Sequence, residues 1–231
     1  AATLTVTTGS ISITTNPANT SVCNGSDASF SVTATGASLT YNWQVSTDGG
    51  TTWNNTVPAV TTATLTLNAV TAALNGNQYH LVITSCGPGA LTSNNVTLTV
   101  NSPASISTQP TNTNACTGTN TSFSVTAAGT GVSYQWQVST NGGTSYSTIT
   151  GATSSTLDLT AVTSGMNNNL YQVIVSSSTC AATVTSSAAT LSISDPASIS
   201  AQPAGVTVCA GSNASFSVTA AGTNITYQWQ V

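Results

Sequence analysis

Few side chains in this sequence can act as acids, bases, nucleophiles or metal ligands. It holds five Cys, a single His and four acidic residues, all of them Asp, and it has no Lys or Arg. His80 is replaced by Gln172 at the equivalent place further along the chain, which is typical of a surface side chain. A catalytic triad needs a nucleophile, a base and an orienting group in contact, and this set cannot supply them. We therefore expect no enzyme and no cofactor.

The Asp and Cys residues also argue against a bound metal. Asp27 is replaced by Asn120 and Asn213 in later copies of the same segment, and Asp48 is replaced by Asn141. A repeated calcium site would need its carboxylates in every copy. The Cys residues form no CxxC pair and no Cys–His cluster of the kind that binds zinc. We expect no metal site.

The lack of basic residues limits the partners of the chain. With a formal net charge of −4 and no Lys or Arg, the protein has nothing to pair with a phosphate backbone or an anionic membrane surface. No apolar run approaches the roughly 20 residues of a membrane helix. Nucleic acid and membrane insertion are therefore excluded as functions of this segment.

The clearest pattern in the sequence is a repeat of 93 residues. We predict the end of one repeat at residues 1–8, complete repeats at 9–101 and 102–194, and the first part of another at 195–231, so that the protein continues in both directions. Positions that recur at this spacing are Pro17, Pro110 and Pro203; Cys23, Cys116 and Cys209; Phe30, Phe123 and Phe216; and Trp43, Trp136 and Trp229.

Short alternating runs recur about every ten residues in each repeat, which is typical of a β-sandwich. Val and Thr favour strands, whereas Asn, Gly and Ser favour turns. Asp48-Gly49-Gly50 predicts a tight hairpin turn. The strands predicted in the first repeat are Ile11–Thr15, Ser21–Cys23, Ala28–Thr35, Thr40–Ser46, Thr64–Leu67, Gln78–Thr84 and Asn95–Val100.

The order Gly-x-x-x-x-Phe-x-Val, Tyr-x-Trp, Leu-x-Leu and Tyr-x-Leu-x-Ile resembles the immunoglobulin-like domains. In that family a Trp of strand C and a Tyr that opens strand F lie in the core. The positions of the usual inter-sheet disulfide hold apolar residues here, so apolar packing replaces it. The resemblance implies an all-β fold of tandem sandwich repeats whose core includes Phe30, Val32, Trp43, Tyr79, Leu81, Phe123, Val125, Trp136, Tyr171 and Val173.

Two pairings of the cysteines are open. Pairing within repeats gives Cys23–Cys86 and Cys116–Cys180. In an immunoglobulin-like sandwich, however, these positions lie at opposite ends, since seven residues of strand span about 23 Å and a disulfide needs Cα atoms within about 7 Å. The preferred pairing is therefore Cys23–Cys180, between consecutive repeats, with Cys86, Cys116 and Cys209 bonded to copies outside the sequence. Either pairing implies an oxidising, extracellular compartment.

Short, Pro-containing linkers predict an elongated rod, which gains about 40 Å with each repeat. The repeats resemble those of giant secreted surface proteins of the Bacteroidota, a group that includes the mobile adhesin of gliding motility. This implies a non-catalytic stalk or filament of a cell-surface adhesin, whose partners are neighbouring repeats.

One alternative is a structural polymer of an appendage or sheath, built from laterally packed copies. Another is a carbohydrate-binding array that uses Trp53 and Tyr146, although an aromatic ring lying over the hairpin is the simpler interpretation.

Overall fold

Apolar residues alternate with Ser and Thr along most strands, so that each strand has one buried and one exposed face. In one such strand Ala28 and Phe30 are buried, whereas Ser29 and Ser31 are exposed. The structure is a computed structural model that describes residues 10–87 and 89–231. These residues form two compact units. The first comprises 10–87, 89–104, 129–131 and 177–182, and the second comprises 105–128, 132–176 and 183–231.

Ten short strands and one turn of 3₁₀ helix, Ala72–Leu74, build most of the first unit. The strands are β1 (Ser12–Thr15), β2 (Thr20–Cys23), β3 (Ala28–Ser31), β4 (Thr33–Thr35), β5 (Thr40–Ser46), β6 (Asn54–Asn55), β7 (Thr64–Leu67), β8 (Gln78–Thr84), β9 (Ala90–Thr92) and β10 (Val96–Asn101).

The larger sheet of the first unit has the order β2-β10-β8-β5-β6, and β9 also pairs with β8. Strands β2 and β10 are parallel, whereas the other neighbours for which the register is given are antiparallel. The remaining strands form the pairs β3–β7 and β1–β4. Their inward side chains meet those of the larger sheet in one apolar core. The unit is thus a two-layered β-sandwich.

The structure corrects the strand predicted over Ala28–Thr35. This run forms two strands with different partners, because β3 pairs with β7 and β4 pairs with β1. The change of partner falls at Val32, which is buried and still donates its N–H to Ala63 O at 3.0 Å. Strands β6 and β9 were not predicted, since two or three residues are too few to show alternation. The final strand predicted for residues 1–8 lies outside the described residues.

Most of the second unit repeats the first, with the same strand order β12-β20-β18-β15-β16, the extra pair β19–β18, and the pairs β13–β17 and β11–β14. A second 3₁₀ turn spans Ser164–Met166. The strands are β11 (Ser105–Thr108), β12 (Thr113–Cys116), β13 (Thr121–Ser124), β14 (Thr126–Ala128), β15 (Val132–Ser139), β16 (Ser147–Thr148), β17 (Thr156–Leu159), β18 (Leu170–Ser177), β19 (Thr183–Thr185) and β20 (Ala189–Ser194).

Residues 195–231 contribute one further strand pair, β21 (Ser198–Ala201) with β22 (Thr219–Ala221). Its register repeats that of β1–β4 and β11–β14, including the irregularity after the second residue pair. The aromatic residues of this segment are about half exposed: Phe216 at 55%, Tyr227 at 56% and Trp229 at 52%.

The core of each complete repeat is centred on three aromatic rings. Phe30 stacks on Tyr79 with centroids 5.1 Å apart, and Trp43 lies 6.4 Å from Phe30. The second repeat has the same cluster, with 4.9 Å between Phe123 and Tyr171. Burial raises the pKa of Tyr79. These rings are worth several kcal/mol of transfer free energy in each repeat.

Candidate functional site

The structure contains a disulfide between Cys23 and Cys180, with an S–S distance of 2.04 Å and Cα atoms 5.7 Å apart. Cys23 is the last residue of β2, and Cys180 lies in the hairpin that follows β18. The two residues belong to different sequence repeats but to the same compact unit, since residues 177–182 are part of the first unit. The alternative Cys23–Cys86 pairing is not the one found.

The hairpin at 177–182 is fixed by contacts on both sides of the disulfide. Cys180 is 4% exposed, and its Sγ lies 3.7 Å from the carbonyl oxygen of Asn101. On the other side, Cys23 Sγ lies 3.6 Å from the carbonyl oxygen of Thr179. Asn101 also donates its side-chain N–H to Ser21 Oγ at 2.8 Å. The disulfide is therefore enclosed by backbone carbonyls and short polar side chains.

Hydrogen bonds tie the same hairpin to the loop 129–131. Ser177 Oγ donates to Thr130 O at 2.7 Å and accepts from Cys180 N at 3.2 Å. Ser178 N donates to Gly131 O at 3.1 Å. Gly131 has a φ of +61°, and a Cβ there would lie 2.2 Å from Ser178 Oγ. A larger residue at this position would therefore require the Ser178 hydroxyl to move.

The loop is in turn bonded to the start of the second sequence repeat. Thr130 N donates to Ser102 O, and Ser102 N donates to Thr130 Oγ1, both at 2.9 Å. Alternation and composition do not reveal this reciprocal pair, because Ser and Thr occur almost everywhere in the chain. The one sequence feature that could have indicated it is the recurrence of Thr130 as Thr223 one repeat later.

The other three cysteines, Cys86, Cys116 and Cys209, are exposed. Among the described residues, no group of three His, Cys, Asp or Glu side chains lies close enough to hold a metal ion.

All ten predicted core residues are buried, each at most 6% exposed. Trp43 and Trp136 have no exposed surface, and their indole N–H groups donate to Thr62 O at 3.1 Å and Ser154 O at 2.9 Å. At the positions of the usual inter-sheet disulfide the structure has buried Val32 and Leu81, and their equivalents Val125 and Val173 are buried too.

Asp48 organises the hairpin turn after β5. Its carboxylate accepts from Ser46 Oγ at 2.6 Å, Thr51 N at 3.0 Å, and Thr52 N and Oγ1 at 2.9 and 2.6 Å. The hydrogen bonds to Ser46 and Thr52 hold the pKa of Asp48 well below its ordinary value. Gly49 and Gly50 both have positive φ, which the turn requires. The carboxylate thus accepts hydrogen bonds from the N–H and hydroxyl groups of its own turn, which stabilises the turn.

In the second repeat the side-chain amide of Asn141 accepts the equivalent hydrogen bonds. Asn141 Oδ1 accepts from Ser139 Oγ at 2.8 Å and from Ser145 N at 3.0 Å. The second acceptor oxygen of Asp48 is therefore dispensable, which explains why the charge does not recur.

His80 is buried at 8% exposed, and the prediction of a surface side chain was wrong. The Trp53 ring stacks on it with centroids 3.7 Å apart. The ring nitrogens face Gln44 Oε1 at 2.8 Å and Asn95 Oδ1 at 3.1 Å. Burial lowers the pKa of His80, and the contact with Asn95 opposes this only in part. A sequence signal existed, because both members of the Trp53–His80 pair change together in the second repeat, to Tyr146 and Gln172.

The two aromatic residues proposed for sugar contact are both partly buried. Trp53 has one face on His80, and its indole N–H donates to Gly50 O at 3.1 Å. Tyr146 lies over the equivalent turn, where a Cβ on Gly143 would be 3.6 Å from its hydroxyl oxygen. Both rings cover the Gly-Gly hairpin.

Sequence reasoning missed a set of side-chain oxygens that accept backbone N–H groups at strand ends and turns. Each occurs once per repeat, and each supplies an acceptor for a backbone N–H at a strand end or in a turn. The acceptors and donors are Asn19 with Thr97, Asn112 with Thr190, Asn75 with Val100, Asn167 with Ile193, Asp27 with Ala69, and Asn120 with Ala161, at 2.8–2.9 Å.

Two successive β-sandwiches, each with a fully buried Trp and a buried Tyr on neighbouring strands, define tandem immunoglobulin-like domains. The I67–I69 fragment from the titin I-band is similar, with a TM-score of 0.63 and 15% identity over 86% of this chain and 70% of that chain. Sidekick-1 immunoglobulin domains 1–4 have a TM-score of 0.56 and 17% identity over 79% of this chain and 48% of that chain. At these identities the likeness shows the fold alone.

The model of a family described as a domain of unknown function, DUF8696, matches residues 8–102 and 105–195. The chain belongs to this family. The predicted all-β fold of tandem immunoglobulin-like repeats, each about 93 residues long, is confirmed by these two matches together with the structural likenesses.

Endoglucanase C of Cellulomonas fimi is 37% identical over 150 residues, which cover 64% of this chain but only 13% of the relative. The chain thus corresponds to a small part of that protein. In the part of the chain that the structure describes, no helix is long and apolar enough to cross a membrane.

Proposed function

We propose that the chain is a segment of a non-catalytic extracellular stalk or filament, belonging to a giant cell-surface adhesin that serves attachment or gliding motility. Residues 9–101 and 102–194 are two of its repeats, residues 1–8 end a preceding repeat, and residues 195–231 begin a following one. The repeats hold the adhesive part of the protein away from the cell, and they work by length and stiffness rather than by chemistry.

The observation that carries this proposal is the Cys23–Cys180 disulfide. A bond between a cysteine of one sequence repeat and a cysteine of the next limits bending and separation of the repeats, as a stalk requires. Disulfides form and persist in oxidising compartments outside the cytoplasm, which supports an extracellular location. The chemistry-poor composition, with no Lys or Arg and one buried His, supports a passive mechanical role.

The extracellular part of the proposal is tested on cells that make the protein. An antibody raised against residues 102–194 is applied to intact and to lysed cells, with a cytoplasmic protein as the control that must label only after lysis. We expect intact cells to label as strongly as lysed ones. Labelling that appears only after lysis would rule out the stalk.

A structural polymer, in which laterally packed copies build a sheath or appendage, is the first alternative. The charge-poor surface supports it, because with 2% charged residues there is little electrostatic repulsion between neighbouring copies. The stalk and the polymer differ in what the cell surface shows, namely separate threads or a continuous layer.

A carbohydrate-binding repeat array is a second alternative, supported by the partial likeness to Endoglucanase C and by the aromatic residues Trp53 and Tyr146. Against it, the stack on His80 leaves only one face of Trp53 for a sugar ring. A glycan panel probed with the 231-residue chain, alongside a Trp53→Ala, Tyr146→Ala variant, tests the array. Binding that is equally weak for every glycan and both proteins removes this alternative.

A further inference from the structure

A surface groove in the second unit surrounds the exposed thiol of Cys116. It has a volume of about 320 Å³ and is lined by Asn114, Ala115, Cys116, Thr119, Asn120 and Ser194. Cys116 ends β12, as Cys23 ends β2, and each strand pairs in parallel with the last strand of its own repeat. The groove is therefore the second copy of the surface that surrounds Cys23.

In the first unit this surface is occupied. The hairpin 177–182 lies on it, with Cys180 bonded to Cys23 and in contact with Asn101 O. The positions equivalent to Cys23 and Asn101 are Cys116 and Ser194, both of which line the groove. Cys23 and Asn101 of the first repeat thus contact a hairpin, whereas Cys116 and Ser194 of the second repeat line an open groove.

The backbone beneath the two surfaces is the same. The residue after each Cys donates its N–H to the last strand of the repeat, Asn24 N to Asn101 O at 2.8 Å and Thr117 N to Ser194 O at 3.0 Å. The glycine that follows donates to a valine carbonyl at 2.7 Å in both repeats. The groove at Cys116 is thus already formed with the geometry that accepts a hairpin at Cys23.

The loop that contacts the hairpin in the first unit, 129–131, also has a counterpart one repeat later, at 222–224. Thr223 N donates to Asp195 O at 2.9 Å and Asp195 N donates to Thr223 Oγ1 at 2.8 Å, which repeats the reciprocal pair of Thr130 and Ser102. Asn224 replaces Gly131 but keeps its positive φ, 53° against 61°. At Gly131 an added Cβ would come too close only to the Ser178 hydroxyl, at 2.2 Å, because the Ser178 Cβ and N lie at ordinary contact distances of 3.5 and 3.9 Å. That hydroxyl is the end of a side chain that can rotate away. The loop at 222–224 therefore follows the path of the loop at 129–131.

We propose that the groove at Cys116 is the docking site for a hairpin equivalent to Ser177–Ala182, carried by a further copy of this repeat and locked by a disulfide to Cys116. The occupied surface at Cys23 identifies the occupant, because it shows the same groove holding that hairpin. This inference concerns how repeats are joined, and it does not depend on the adhesin function.

The bond forms by thiol–disulfide exchange. The Cys116 thiolate attacks one sulfur of an external disulfide, and the resulting mixed disulfide is then attacked by the hairpin thiolate. Two protein thiols lose two protons and two electrons, and the external disulfide is reduced to two thiols. The oxidant is therefore a small-molecule or protein disulfide, such as oxidised glutathione in the experiment below.

The test extends the full chain after Val231 by a copy of residues 139–194, which completes the repeat that begins at 195. The copy carries Ala181→Ser, an exposed change that marks its peptides by mass. After refolding in a glutathione redox buffer, chymotrypsin, which cleaves after Leu and aromatic residues, releases disulfide-linked peptides for mass spectrometry. We expect Cys116 joined to the marked hairpin, Cys23 joined to the unmarked Cys180, and loss of Cys116 alkylation.

Two controls separate docking from folding. The unextended chain should keep Cys116 open to alkylation, and Trp229, which is 52% exposed, should shift its emission to the blue once the added repeat folds around it. A blue shift with Cys116 still alkylated would overturn the proposal. If the extension does not fold, the disulfide map of the natural protein from cells decides instead, and a Cys116 that is a free thiol or bonded to a cysteine outside such a hairpin overturns it.

Discussion

Trp43 and Trp136 hold the two layers of each repeat together, since each is fully buried against a Phe ring and donates its indole N–H to a backbone carbonyl. No disulfide crosses the core at the buried Val and Leu positions described above. The stability of each repeat therefore depends on apolar contacts of this Trp. A single substitution measures how much free energy of unfolding they contribute.

Replacement of Trp43 by Ala should lower the free energy of unfolding of the first repeat by about 3–5 kcal/mol, the usual cost of truncating a large core side chain. The matched control is Trp53→Ala, which removes the same side chain from a partly buried site and should cost clearly less. Urea unfolding followed by circular dichroism measures both. Equal losses for the two variants would contradict the assignment of Trp43 to the core.

His80 makes the first repeat sensitive to pH. Burial lowers its pKa in the folded protein below the ordinary value of 6.5, so the unfolded chain binds more protons between the two pKa values. The contribution of the neutral His80 to the free energy of unfolding is therefore complete above pH 6.5, and it decreases as the pH falls toward the pKa of the folded state. The expected result is a lower urea midpoint at pH 5 than at pH 8.

The control for this pH dependence is His80→Gln, which copies Gln172 of the second repeat. Gln172 donates to Gln137 Oε1 at 2.9 Å, and the variant can make the equivalent bond to Gln44. Its urea midpoint should not change between pH 8 and pH 5. If the variant and the natural chain respond alike, His80 is not the group that titrates.

At the scale of elements, side-chain oxygens complete the strand hydrogen bonding wherever a strand is interrupted. Between β9 and β10, Ser93 Oγ accepts the N–H of Leu81 at 2.9 Å and donates to Asn94 O at 3.1 Å. Ser186 does the same for Val173 at 3.0 Å. Ser93 is 6% exposed, so water does not replace it readily.

Ser93→Ala should therefore cost about 1–3 kcal/mol, because it leaves the buried Leu81 N–H without an acceptor. Ser29→Ala is the matched control, since Ser29 is exposed on β3 and its loss should change stability by less than about 0.5 kcal/mol. Thermal unfolding of both variants checks the difference. A Ser93→Ala chain as stable as the control would show that Leu81 N–H finds another partner.

Alternation of apolar and polar residues was enough to predict the long strands to within about one residue, as for β5 and β8, because each has one side in the core. It could not predict β6 or β9, which are two and three residues long. It also ran β3 and β4 together, since alternation reports burial and not the identity of the partner strand. The burial of His80 on β8 depends on the ring of Trp53, which lies in the connection between β5 and β6. The residue pattern of β8 alone does not show this contact.

The acceptor roles of Asp27 and Asn120 explain why these residues replace each other between the repeats. Both oxygens bind the N–H of an Ala with a φ of 46°, so a carboxylate and an amide are interchangeable there. Absence of a repeated Asp argued against calcium, and the structure adds the positive reason for these positions, which is the capping of a turn.

At the scale of the whole chain, the Cys23–Cys180 bond spans a sequence separation of 157 residues. The chain-entropy model gives about 5 kcal/mol for closing a loop of this length. Because the chain has no Lys or Arg, trypsin cuts only where a basic residue is introduced, which allows a direct test of the link.

Thr111→Lys places one trypsin site in the exposed connection between β11 and β12. After complete cleavage, the two fragments should run as one band on a denaturing gel without reductant and separate when reductant is added. The same chain with Cys23→Ser should separate without reductant. Fragments that separate in both cases would show that Cys23 and Cys180 are not bonded.

Electron microscopy of native cells labelled with gold-coupled antibody against one repeat shows whether the repeats form the stalk of a surface adhesin. We expect separate thin threads rooted in the cell envelope, with label along their length. Label confined to a continuous bundled layer would contradict it and would mean that the packed repeats are themselves the product.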